Sequence, residues 1–259
     1  MIHWNPDPEI FRIGSIGPRW YGLAFVIGFM ISEKYVSKIL VGKNGYTQDH
    51  VSKLFQYCII GTIVGARLGH CLFYQPDYYL SNPLEILMVW QGGLASHGGF
   101  LGVIFAAWLY NKKVKEIDFL WLLDVIAAPA LMTGGFIRIG NLFNSEIIGH
   151  RTDVPWAFIF ERVDSIPRHP AQLYESFGFF IISFVVYYLY SKFSESWPKG
   201  RFVGLILTFG MLHRFIVEFF KENQVAFEAD MVLNMGQLLS FPMFLLGLFL
   251  IFKDKLKSN

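Results

Sequence analysis

Arg67, Arg138 and Arg214 stand in or at the edge of long apolar stretches, where a cation at mid-bilayer costs at least about 2.5–3.5 kcal/mol unless it snorkels or is paired. Three such residues need a chemical reason. A guanidinium presents fixed N–H donors that match phosphate oxygens and keeps its charge at every accessible pH, so anion recognition is one reason. In a membrane the abundant phosphate is a lipid headgroup. Structural pairing is the other, since Arg214 and Glu218 lie four residues apart on one helical face and can neutralise each other. Between Gly134 and Gly149 the chain gathers Arg138, Asn141, Asn144 and Glu146 among glycines. Glycines let a backbone come close to a ligand, Asn offers neutral donors and acceptors, and Glu146 can orient Arg138 or bind a hydroxyl. The competing reading is a polar helix end with ordinary caps.

His97 lies among Gly92, Gly93, Gly98, Gly99 and Gly102 inside another apolar run. Glycine costs about 1 kcal/mol relative to alanine in a helix, so this run implies close helix packing, a broken helix, or room for a ligand beside the imidazole. Both a proton carrier and a satisfied packing residue fit His97. Ser96 is adjacent to it, and adjacent helical residues point about 100° apart, which discounts a serine–histidine dyad. Gly61, Gly65 and Gly69, at four-residue spacing, read as a helix-contact stripe.

The elements that must position these residues are membrane helices. Of 259 residues, 54% are hydrophobic and 16% charged, against roughly 25% charged in a soluble domain. Apolar runs near 20–32, 54–74, 86–110, 119–137, 171–190, 202–220 and 232–252 predict an all-α polytopic membrane protein of about seven transmembrane helices. The whole chain, 1–259, is expected to form a single integral-membrane domain, with 138–170 as an external segment in a small cap. Lys34, Lys38, Lys43, Lys53, Lys112, Lys113, Lys115, Lys192, Lys199, Arg201, Lys253, Lys255 and Lys257, more than half of the 22 basic residues, fall on one side. The positive-inside rule then puts the N-terminus outside and the C-terminus in the cytoplasm, with Lys221 the lone lysine assigned to the outer side. Trp4, Trp20, Trp90 and Trp156 fall where interfacial aromatics belong.

Other chemistries find little footing. A net charge of +2 is too small for a nucleic-acid footprint. No zinc-type ligand spacing or phosphate loop is present, so no metal and no cofactor are expected. Cys58 and Cys71 share one apolar stretch and read as small buried hydrophobes. The first twenty residues lack the pattern of a cleaved signal peptide, so the N-terminus is expected to be retained.

Taken in order, the motifs resemble the bacterial prolipoprotein diacylglyceryl transferase family. The resemblance runs through Trp20-Tyr21-Gly22, Gly65-Ala66-Arg67-Leu68-Gly69, His97-Gly98-Gly99, Asp124 with Pro129, the stretch Arg138 to Gly149, Arg168 to Glu175, Arg214 to Phe220, and Met235 to Ser240. The ordered set is far more specific than any one string. It implies phosphatidylglycerol as donor, preprolipoprotein signal peptides with a lipobox as acceptors, and a thioether product at the bacterial cytoplasmic (inner) membrane. Arg138 and Arg214 would meet the phosphate, and His97 would be either the general base or a positioning residue. Tyr21, Arg67, Asn141, Asn144, Glu146, Gly149, Gln172, Tyr174, Glu175 and Glu218 would bind substrate. The chain departs from the family at Gly210, where a tyrosine is usual, and at His70 and Ile137, changes expected to alter shape rather than abolish the reaction. The rival from another class is a membrane transporter or binder of anionic lipid that uses the same intramembrane arginines.

Overall fold

A computed structural model describes residues 1–14, 17–43, 45–89, 92–114, 116–223 and 231–257. Trp90, Gln91 and Lys115 lie outside the described residues. Helices α1 (Trp20–Leu40), α2 (Gln48–Phe73), α3 (Pro76–Ser81), α4 (Ser96–Lys113), α5 (Phe119–Asn144), α6 (Ala171–Phe193), α7 (Arg201–Glu218) and α8 (Met235–Lys257) account for most of the chain, with a 3-10 turn at Pro83–Leu87. Among the described residues, three helical stretches, Phe119–Asn144, Ala171–Phe193 and Met235–Asp254, are long and apolar enough to cross a membrane.

Their faces are inverted relative to a soluble helix. Along α6, Phe177, Ile181, Phe184, Val185 and Tyr188 are exposed, while Gln172, Glu175, Ser176 and Ser183 are buried. The exposed positions recur at helical spacing, so one apolar stripe faces outward, as lipid requires, and the polar groups are kept for one another. On α8 the same logic exposes Phe241, Leu245, Phe249 and Phe252 and buries Gln237 and Ser240.

Two expected boundaries move. The apolar run 86–110 becomes helical only from Ser96, because Pro83–Leu87 forms a 3-10 turn and Gly92 and Gly93 adopt positive φ. Arg138 to Asn144, expected to begin the external segment, continue α5 as helix. Beyond it stands a feature that hydropathy did not indicate, a small sheet in which β1 (Ile2–Trp4) pairs parallel with β2 (Phe158–Phe160), and β2 antiparallel with β3 (Pro167–Arg168). Strands this short carry no periodic signal. Phe158 and Phe160 pack with Leu142, Ile148, Trp4 and Leu173, and the Trp4 indole donates to the Leu142 carbonyl at 2.9 Å.

The chain divides into two compact units, one of residues 1–34 with 124–259, the other of 35–123. In the smaller unit α2 and α4 meet backbone to backbone. A Cβ at Gly69 would lie 2.9 Å from the Gly98 Cα, and one at Gly65 would fall 2.8 Å from the Gly102 Cα. The glycine stripe and the glycines after His97 thus serve one close helix contact, made without side chains. Cys58 and Cys71 are buried and unbridged.

Candidate active site

The site is built where α5 ends. Ser145 N–H donates to Leu142 O and Glu146 N–H to Asn141 O, the paired closure of a Schellman motif, with Ser145 at φ 56° in the left-handed position usually given to glycine. Ile147, at φ 57°, is a strained conformation for a β-branched residue. This closure turns Glu146 back over the last helical turn. Asn141 Nδ2 donates to Glu146 Oε2 at 3.0 Å, Asn144 Nδ2 to Glu146 Oε1 at 3.2 Å, and Arg138 Nη1 to Asn141 Oδ1 at 3.1 Å. Gln172, fully buried on the first turn of α6, donates to the Glu146 carbonyl at 2.7 Å.

From Arg138 a chain of charges runs inward. Its Nε lies 2.8 Å from Glu175 Oε2 on α6. The same oxygen is 3.0 Å from Lys221 Nζ, which is also 2.8 Å from Glu218 Oε1 at the end of α7. Arg214 Nη2 approaches that Glu218 oxygen at 3.6 Å, and Asn234 Nδ2 donates to the other at 3.2 Å. The order is thus cation, anion, cation, anion, cation, with a guanidinium at each end. Glu175 is fully buried, and Arg138, Glu218 and Lys221 are nearly so. Taking five ionised groups from water is tolerable only because each faces an opposite charge.

Glycines let the parts approach. Gly236 faces the Glu218 carboxylate, 2.5 Å from where its Cβ would stand, and Gly140 admits Tyr21, whose Cα would lie 3.0 Å from such a carbon. Gly135 serves the α5–α6 approach, where Ser176 Oγ donates to its carbonyl at 3.0 Å. Gly149 is enclosed by backbone. Its N–H donates to His169 O at 3.0 Å, while His150 N–H donates to Phe220 O at 2.8 Å, so Gly149 is bridged to Lys221 in antiparallel fashion.

Tyr174 holds the outer rim. Its hydroxyl accepts from Trp156 Nε1 at 2.8 Å and lies 3.0 Å from His169 Nδ1. Arg168 joins Asp164, Glu222 and the Gly149 carbonyl. The Arg168 guanidinium holds the Asp164 carboxyl below the usual carboxylate range, and burial with His150 nearby lowers His169.

Of the residues singled out from sequence, Arg138, Asn141, Asn144, Glu146, Gln172, Glu175, Arg214 and Glu218 belong to this constellation, with Gly149, Tyr21 and Tyr174 around it. Arg67 and His97 belong to the smaller unit. Arg67 is buried and donates to the carbonyls of Ile86, Gly92 and Glu85 at 3.0, 2.6 and 2.6 Å, under the Tyr79 ring. That is a structural use of its charge. His97 stands in the first turn of α4, half-buried. Lys221 was missed as a site residue. Its signal was present, a lone lysine on the side otherwise poor in them, three residues after Glu218. Among the described residues no group of three or more His, Cys, Asp or Glu is gathered as a metal site would need.

Fold and site define a helical membrane protein that buries an ionised cluster beneath a polar, glycine-bearing helix end. Over residues 8–253 it matches the family described as prolipoprotein diacylglyceryl transferase, and the chain belongs to that family of transferases. It is similar to the phosphatidylglycerol–prolipoprotein diacylglyceryl transferases of Chloroherpeton thalassium (47% identical, covering 98% of this chain and 94% of the relative), Tolumonas auensis (46%, 96% of each) and Geobacter sulfurreducens (43%, 93% of each).

Proposed function

We propose that this protein transfers the diacylglyceryl group of phosphatidylglycerol to the lipobox cysteine of preprolipoproteins, at the outer face of the bacterial cytoplasmic membrane. It would cross that membrane seven times with its N-terminus outside, the arrangement favoured by the seven apolar runs and the sorting of lysines. The observation that carries the reading is the buried charge chain with Arg138 and Arg214 at its ends, because the reaction needs cations where phosphate charge grows.

The chemistry sets three requirements. A thiol of ordinary pKa about 8.5 must give up its proton, the glyceryl carbon must be held in line with the sulfur, and the leaving phosphate must be stabilised. As the carbon–sulfur bond forms, the carbon–oxygen bond to phosphate breaks, and its electron pair leaves on glycerol phosphate. Arg138 and Arg214 take the phosphate. Asn141, Asn144 and Glu146 present hydrogen-bonding groups to the headgroup hydroxyls, with Tyr21 beside them. Gln172, Glu175 and Glu218 hold that machinery in place. By resemblance, His97 is assigned either the thiol proton or the positioning of lipid.

The test is purified protein mixed with phosphatidylglycerol vesicles and a lipobox peptide. A mass gain of one diacylglyceryl group on the peptide, with release of glycerol phosphate, is expected. Losing one donor to a leaving group typically lowers rate by roughly 10² to 10³, so Arg138→Ala should nearly abolish turnover, and Arg138→Lys, lacking the planar fork, should not restore it. Near wild-type thioether formation by Arg138→Ala would remove this assignment. A His97 variant that recovers at high pH marks a base, and one equally impaired at every pH marks a positioning residue.

A further inference from the structure

Lys221 has no part in the reading above beyond its place in the chain of charges. Its side chain is 2% exposed, and its ammonium is shared between Glu175 and Glu218. Each of those carboxylates is also the partner of one arginine, through the same oxygen that Lys221 contacts. Without Lys221 the group would consist of two arginines and two glutamates, a pair of neutralised ion pairs with little attraction for phosphate. With it, three cations face two carboxylates, and these ion-paired groups carry a net +1; Glu146, which reaches Arg138 only through Asn141, stands outside that set.

We propose that Lys221 is a positioning residue that sets the charge of this cluster, acting through Glu175 and Glu218 so that Arg138 and Arg214 remain attractive to a lipid phosphate. The inference rests on the phosphate reading of the two arginines. Backbone geometry fixes where the ammonium falls. Lys221 is bridged to Gly149, the flanking His150 N–H donates to Phe220 O at 2.8 Å, and Glu222 N–H donates to Ile148 O at 3.1 Å. The ladder brings Lys221 under the helix end that carries Glu146, and its length lets one ammonium reach two carboxylates. Arg214 Nε, buried with no hydrogen-bond partner among the described residues, is consistent with a guanidinium that its carboxylate does not saturate.

The experiment measures KM for phosphatidylglycerol and kcat, at saturating lipobox peptide, for the wild type, Lys221→Met and Lys221→Arg. The methionine variant makes the ion-paired groups neutral, and the arginine variant keeps them at +1. A unit charge acting through an effective dielectric of about 20 is large on this scale, so Lys221→Met should raise KM roughly tenfold or more with a smaller change in kcat. Lys221→Arg should keep KM within about threefold of the wild type. A lysine needed only for the fold predicts a lower melting midpoint with KM unchanged. A wild-type KM in Lys221→Met, or a Lys221→Arg as impaired in KM as Lys221→Met, overturns the proposal. Should Lys221→Met not fold, Lys221→Gln, which keeps hydrogen-bond donors without the charge, takes its place under the same criteria. If the wild type itself forms no thioether, the functional reading fails rather than the role of Lys221.

Discussion

Replacing Gly149 by alanine tests whether this glycine exists for a ligand or for the chain itself. A Cβ there would stand 2.5 Å from the His169 carbonyl oxygen and 2.6 Å from both His169 Cβ and Phe220 O. Each neighbour must yield by most of an ångström before contact becomes ordinary. The neighbours are backbone held by the hydrogen bonds Gly149 N–His169 O (3.0 Å) and His150 N–Phe220 O (2.8 Å), so they cannot rotate away as a side chain would. Relief means lengthening or breaking one or both bonds, each worth about 1 kcal/mol net and up to about 3 when a buried partner is left unmade. The expected loss is about 2–5 kcal/mol. For a protein of this size, at roughly 2–4 °C per kcal/mol, the melting midpoint in detergent should fall by about 4–20 °C. Because Lys221 is bridged to Gly149, KM for lipid should rise together with the fall in midpoint. An unchanged midpoint with only KM for lipid raised would refute this reasoning and assign Gly149 to the ligand.

Arg67→Met should loosen the segment it ties down. Leaving the carbonyls of Glu85, Ile86 and Gly92 without their donor costs about 2–4 kcal/mol, seen as faster hydrogen exchange over residues 83–93; unchanged exchange with a raised KM would instead make Arg67 a lipid ligand. Acid should weaken the cap through Asp164. Its folded pKa lies below the unfolded value because of Arg168, so its stabilisation is complete above about pH 4 and disappears as pH falls through the lower folded value. Asp164→Asn should flatten that part of a stability–pH profile, and an equally steep profile in the variant would locate the acid sensitivity elsewhere.

The membrane class, the arginines and the polar cluster from Arg138 to Glu146 were legible in the residues alone, because burying charge in an apolar run is costly enough that its local pattern is informative without a structure. The same holds for the Arg214–Glu218 pair, four apart on one helix. The glycines were legible as glycines but not as to purpose. Gly98 and Gly102 serve the contact with Gly65 and Gly69, and spacing along one helix does not say which helix lies against it. The cap sheet is not legible in the sequence because strands of two or three residues have no periodicity and β1 is held by a partner more than 150 positions away, as Ile2 is by Phe158. Glu175, known beforehand only through resemblance, and Lys221, known only as an isolated lysine, meet across a sequence separation of 46 residues because α6 and α7 pack together and the Gly149 ladder returns the chain beneath them. Composition and local spacing determine which groups cannot be left alone in lipid; only the packing of distant segments decides which of them neutralise one another and what charge is left over.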